Sequence, residues 1–211
     1  MKSLIQPIMN NSLSIVLFTL FVVCISAQSL AGWRVQNETL AAHRQSLISY
    51  RHFLSTGAFW EGLASNWQAA VLQLGSLIVF SAFLYQRGAP HSRDPVAVKR
   101  KHTRQSRSFS WFYRNSLSLA FLLLFALALV LHIVFGTHGY NEERELMGQS
   151  PISIAAFLLS AKFWSTTLQT WQAEYLVIAI YVVLTIFLRQ EGSPESKPVE
   201  SRNATTGEAN K

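Results

Sequence analysis

Apolar residues gather in four long runs separated by polar stretches: Ser12 to Gly32, Trp67 to Tyr85, Ser116 to Gly136 and Trp171 to Leu188. None alternates with a period of two, so none reads as a half-buried strand. Each comes close to the roughly 20 residues with which an α-helix crosses about 30 Å of hydrocarbon. In lipid a helix satisfies its own backbone N–H and C=O groups, whereas an open strand leaves them bare. The pattern predicts four transmembrane helices, at about 12–32, 67–85, 116–136 and 171–188.

The polar stretches carry a second pattern. An offset of 104 positions places Asn11-Ser-Leu-Ser on Asn115-Ser-Leu-Ser, Asn37-Glu38 on Asn141-Glu142, and Phe59-Trp60 on Phe163-Trp164. It also places Trp67-Gln68-Ala69 on Trp171-Gln172-Ala173, and Gly88 on Gly192, without a gap. Each half is therefore one unit of helix, outer segment and helix. Two spans per unit bring both units in from the same side of the membrane. The expected fold is an all-α membrane protein of two tandem helical hairpins, related by a pseudo-two-fold axis along the membrane normal. The expected divisions are repeat unit one at 1–88, a linker at 89–114, repeat unit two at 115–192 and a tail at 193–211. Lys2 and the apolar run ending near Ser29-Leu30-Ala31 imitate a signal peptide. The third run has the same frame in mid-chain, so the first is expected to be a retained helix.

The outer segments turn amphipathic after their polar start. Ser49 and Ser153 are expected to cap short helices that lie in the interface plane, with Phe53, Leu54, Phe157 and Leu158 on their apolar side. The repeated Phe-Trp and Trp-Gln-Ala phrase then puts Trp60 and Trp67, and Trp164 and Trp171, on one face of the following helix. Tryptophan suits the headgroup zone because its ring is apolar and its N–H polar. These four are expected to be interfacial anchors, with the lining of a ligand pocket as the alternative.

Charge adds orientation. Only 14% of residues are charged, against about a quarter in soluble domains. The net charge of +7 comes largely from the stretch Gln86 to Arg114, which spans the linker and holds Arg87, Arg93, Lys99, Arg100, Lys101, Arg104, Arg107 and Arg114 against the single acid Asp94. Basic loops stay in the cytoplasm, so the linker and both termini are expected inside. Lys99, Arg100, Lys101, Arg104 and Arg107 could also meet anionic lipid headgroups. No nucleic-acid fold accompanies them. The tail from Glu191 is polar and rich in Pro and Ser, and is expected to be disordered.

Candidate chemistry is sparse. The nucleophile-elbow, zincin, CxxC, dinucleotide and phosphate-loop patterns are all absent. The lone Cys24 has no disulfide partner in the chain. A single intramembrane His and Glu fall short of the three or four ligands a metal needs. No metal, cofactor or enzymatic activity is expected. Polar residues inside the spans include Gln28, Gln73, His132, Glu174 and Tyr181. Ionisable groups in spans usually face the bundle interior, so these five define a candidate outward-facing polar pocket. Interhelical hydrogen bonding is the plainer expectation for the same residues. The chain is thus expected to be a non-enzymatic protein with an interaction or membrane-structural role, whose partner is the lipid bilayer and for which a homo-oligomer is open. A small transporter or channel is the alternative.

The words GWRVQNETL, GYNEERELMGQSPIS, FWSTTLQTWQAEYL and LRQEGSPESKPV resemble a bacterial family of small integral membrane proteins known as a domain of unknown function. The resemblance covers nearly the whole chain apart from the linker and the last residues. It is carried best by Tyr140-Asn141-Glu142-Glu143, by Trp171-Gln172-Ala173-Glu174 and by Arg189 to Lys197. The first unit departs from it at Gln36, Thr39 and Ala70. The resemblance implies the plasma (inner) membrane of a bacterium and brings no activity.

Overall fold

The computed structural model describes residues 9–93 and 110–207. Among them the regular elements are all helices. They are α1 (Ser12–Ala42), α2 (Tyr50–Phe53), α3 (Gly57–Phe83), α4 (Trp111–Arg114), α5 (Ser116–Leu146), α6 (Ile154–Leu158) and α7 (Ala161–Phe187). The four long helices α1, α3, α5 and α7 are each long and apolar enough to cross a membrane. The basic cluster Lys99, Arg100, Lys101, Arg104 and Arg107 lies outside the described residues.

The long helices outrun their apolar runs. At 31 and 27 residues they measure roughly 46 and 40 Å, more than a hydrocarbon core of about 30 Å. Hydropathy marks only the part that suits lipid, while the backbone ladder continues through the polar residues beyond it. Gly32 and Gly136 do not end α1 and α5. The ends come at Arg44, with φ 57°, and at Gly148, with φ 70°. There Gln45 N donates to Leu40 O, and Gln149 N to Arg144 O, each at 2.8 Å. This six-to-one bond around a left-handed residue is the Schellman stop.

The described residues fall into two compact units, one drawn from 9–61 and 135–152, the other from 62–93, 110–134 and 153–207. Helices α3 and α5 each contribute to both. In the first unit the loop after α1 is held by Asn37. Its Nδ2 donates to Ile48 O at 3.1 Å and its Oδ1 accepts from Ile48 N at 2.8 Å. Trp33 Nε1 donates to the same carbonyl at 2.8 Å. Ser49 caps α2 by accepting from His52 N. Tyr50 meets Ser29 through their hydroxyls at 2.7 Å. Phe53 is buried, with its ring over Gly32, where a Cβ would stand 2.9 Å from Cζ. Gly57 and Gly139 bring the backbones of α3 and α5 together, and a Cβ on Gly139 would come within 2.8 Å of Ala58 N.

In the second unit Ser153 caps α6 by accepting from Ala156 N. Phe157 is fully buried and packs edge-on against Phe163 at 5.5 Å. Phe53 and Phe157, expected on the apolar side of interfacial helices, are both buried against neighbouring residues. The caps hold both short helices so that these rings turn inward, where aromatic area is shed from water most completely.

The tail is also corrected as far as residue 207. The segment after α7 folds into turns with Gly192 at φ 78° and is tied down by Lys197, which is only 2% exposed. Its composition is that of a solvated tail, but one buried ammonium with several carbonyl acceptors offsets the entropy of ordering it.

Candidate functional site

Of the five polar residues expected to share a pocket, Gln28 falls in the first unit, and the other four are spread along the second. Gln28 is exposed, near the middle of α1. In the second unit, His132 is completely buried and lies 5.2 Å from the Phe163 ring. Glu174 comes eleven residues after Phe163, roughly 16 Å along α7, and Tyr181 about 10 Å further still. Gln73 Nε2 reaches α7 but donates to the main-chain oxygen of Glu174, at 3.0 Å, rather than to its carboxylate. Tyr181 belongs to the far end of α7, where its hydroxyl meets His91 Nε2 at 2.5 Å and Glu195 Oε2 at 3.1 Å.

The buried centre of this unit is a pair that the sequence reading had only half in view. His132 Nδ1 lies 2.7 Å from Gln68 Oε1, and Gln68 is 1% exposed. With the amide oxygen facing it, Nδ1 carries the proton and Nε2 presents its lone pair. Nε2 of His132, Nε2 of Gln68 and the hydroxyl of the buried Thr167 have no hydrogen-bond partner among the described residues. Gln68 sits in the repeated Trp-Gln-Ala phrase, whose tryptophans drew the reading toward an anchor. The signal that could have found it is helical spacing, since Ala64, Ser65 and Gln68 share a face and all are buried.

The four tryptophans do not behave alike. Trp60 Nε1 donates to Leu54 O at 2.9 Å, and its ring stacks on Phe135 at 5.6 Å. Trp171 is half-buried beside Phe125, at 6.2 Å. Trp67 is half-buried, and Trp164 is 48% exposed.

A second polar cluster lies beyond α3 and α7. Lys197 Nζ donates to Gly88 O at 2.6 Å, Asn203 O at 3.0 Å, Thr205 O at 3.3 Å and Arg202 O at 3.5 Å. Thr206 Oγ1 accepts from Gly88 N, and Gly207 N donates to Ala89 O. Arg189 adds bonds to Ser201 O at 2.8 Å and Asn203 Oδ1 at 3.0 Å. Burial, and secondly the charge of Arg189, pull the Lys197 ammonium below its ordinary pKa. Residues 198–207 thus strap across the turn that follows α3. Among the described residues no three His, Cys, Asp or Glu side chains are grouped to hold a metal ion.

The family described as "Domain of unknown function (DUF6766)" matches residues 4–208. The chain belongs to the DUF6766 family. No curated protein and no solved structure matches it. The DUF6766 match takes in all four long helices, the Gln68–His132 pair and the Lys197 strap, and it assigns none of them an activity.

Proposed function

We propose that this multi-pass membrane protein is non-enzymatic and acts in the bacterial inner membrane through interaction or membrane structure. In this reading it is built as two tandem hairpins with pseudo-two-fold symmetry, with both termini and the basic linker in the cytoplasm. The observation that carries the reading is how its buried polar groups are used. His132 bonds Gln68, and Lys197 bonds main-chain oxygens. Glu174, His132 and Tyr181 are spaced along α7 and α5 rather than converging on one ligand-sized space. Such pairs fix helix contacts in a bilayer. Lys99, Arg100, Lys101, Arg104 and Arg107 fit anionic headgroups in the same picture.

A second reading, a small transporter or channel, is favoured by one observation. The unpartnered Nε2 of His132 is a proton acceptor inside a span, a position that commonly marks ion and proton pathways. Reconstitution in vesicles of phosphatidylethanolamine and phosphatidylglycerol separates the two readings. Under the first, a proton or potassium gradient decays no faster than in empty vesicles. A faster decay that His132→Ala abolishes replaces the first reading with the second. Reporters active on one side only, fused after Gly88, Asn141 and Gly192, test the topology. An outside signal at Gly88 overturns the orientation.

A further inference from the structure

In the second unit α3 and α5 run antiparallel. Gln68 meets His132, and Gly75 meets Phe121, where a Cβ on the glycine would stand 3.3 Å from the phenylalanine Cβ. The first unit adds another meeting of the same two helices, Gly57 against Gly139. None of these six residues is exposed. The offset of 104 positions turns Gly57, Gln68 and Gly75 into Ala161, Gln172 and Ala179 of α7. It turns Gly139, His132 and Phe121 into Val35, Gln28 and Leu17 of α1. All six of these counterparts are exposed. The chain uses one copy of a matched pair of faces internally and presents the other copy outward.

Two of the exposed six are glutamines in mid-helix. Gln28 lies roughly 24 Å into α1 and Gln172 roughly 16 Å into α7. Neither side chain makes a hydrogen bond among the described residues. A carboxamide turned to hydrocarbon loses its water partners and gains none, which strongly favours any neighbour that can bond it. These two glutamines are the residue-for-residue counterparts of a pair already bonded at 2.7 Å. The faces around them are also compatible, since Ala161 and Ala179 keep α7 shallow enough for close helix packing.

We propose that a second copy of this chain docks here, α7 of one copy lying antiparallel on α1 of the other, with Gln172 bonded to Gln28. The partner is a second copy because the face to be matched is one the chain itself carries. The two faces differ, so the contact is heterologous, giving a ring where its rotation closes and an open array where it does not. The proposal rests on the helices being embedded in a bilayer.

The test uses full-length protein in native membranes, in a Cys24→Ser background. One tagged copy carries Gln28→Cys, and a differently tagged copy carries Gln172→Cys. Mild oxidation is expected to give a product bearing both tags. A control pair of Leu127→Cys with Gln172→Cys should give none. Native mass spectrometry of the purified protein should show more than one copy, and Gln28→Leu or Gln172→Leu should loosen that assembly about threefold, the worth of one interhelical hydrogen bond. A single-copy mass for the wild type overturns the proposal, and so does the absence of mixed product. An intrachain disulfide in the Gln28→Cys/Gln172→Cys double variant also overturns it, because the same chain then fills the face. Alkaline carbonate extraction of the same membranes keeps the two ideas apart. Release of the protein refutes membrane embedding, whereas retention without mixed product refutes the pairing alone.

Discussion

Positions 104 apart in the chain agree in their turns and differ in several of their buried polar groups. Asn37 and Asn141 each bracket an isoleucine main chain, at 3.1 and 2.8 Å in the first copy and 3.0 and 2.8 Å in the second. Ser49 and Ser153 cap the short helices alike. Gln86 N bonds Ser92 Oγ as Gln190 N bonds Ser196 Oγ. The pairs Gln28 with His132, Arg93 with Lys197, and Arg44 with Gly148 diverge. In the first two, the second-copy member is buried and its counterpart is not. Local hydrogen bonds match at positions 104 apart, while His132 and Lys197 are buried where Gln28 and Arg93 are not.

The largest way to break that contrast is at Lys197. Lys197→Met removes a three-donor ammonium from among four carbonyls, and each unsatisfied buried group costs about 1–3 kcal/mol. A loss of about 3 kcal/mol is expected, read as earlier proteolysis of residues 198–207 in detergent. Arg93→Met should cost under about 1 kcal/mol, since Arg93 Nη1 meets Ala82 O at an exposed position. The shared frame is tested next. Asn37→Ala and Asn141→Ala each remove two hydrogen bonds and should cost about 2 kcal/mol apiece, measured as melting in detergent. Unequal losses would show that the frame is not equivalent in the two copies.

His132→Leu should cost about 1–2 kcal/mol by stranding the buried amide of Gln68. The double variant His132→Leu/Gln68→Leu should recover most of it, because replacing both partners by apolar groups is close to neutral. The smallest effect is a gain. Arg44 holds a left-handed backbone that its counterpart Gly148 adopts freely. Arg44→Gly should raise stability by about 0.5–1 kcal/mol, and the mirror change Gly148→Arg should lower it.

The spans were legible because lipid imposes a simple rule on composition. Their ends were not, since residues such as Asn37-Glu38-Thr39 and Asn141-Glu142-Glu143 are polar yet remain helical, and the stop is a backbone motif at Arg44 and Gly148. The inward turn of Phe53 and Phe157 depends on what covers them, here Gly32 and Phe163. An amphipathic pattern alone does not distinguish that from a lipid surface. Gln68 was hidden because its partner lies on another helix, 64 residues away in sequence. The ordered strap was hidden by a polar, Pro/Ser-rich composition. The repeat carried the missing hint, as Gly88 and Gly192 both adopt positive φ in what proves to be the same turn.

The burial of Lys197 gives the chain a built-in chemical clock. An amine-reactive label reaches its Nζ only when the strap lifts away from the Gly88 turn. The labelling rate at that one lysine, followed by peptide mass, reports how often residues 198–207 lift in an intact membrane.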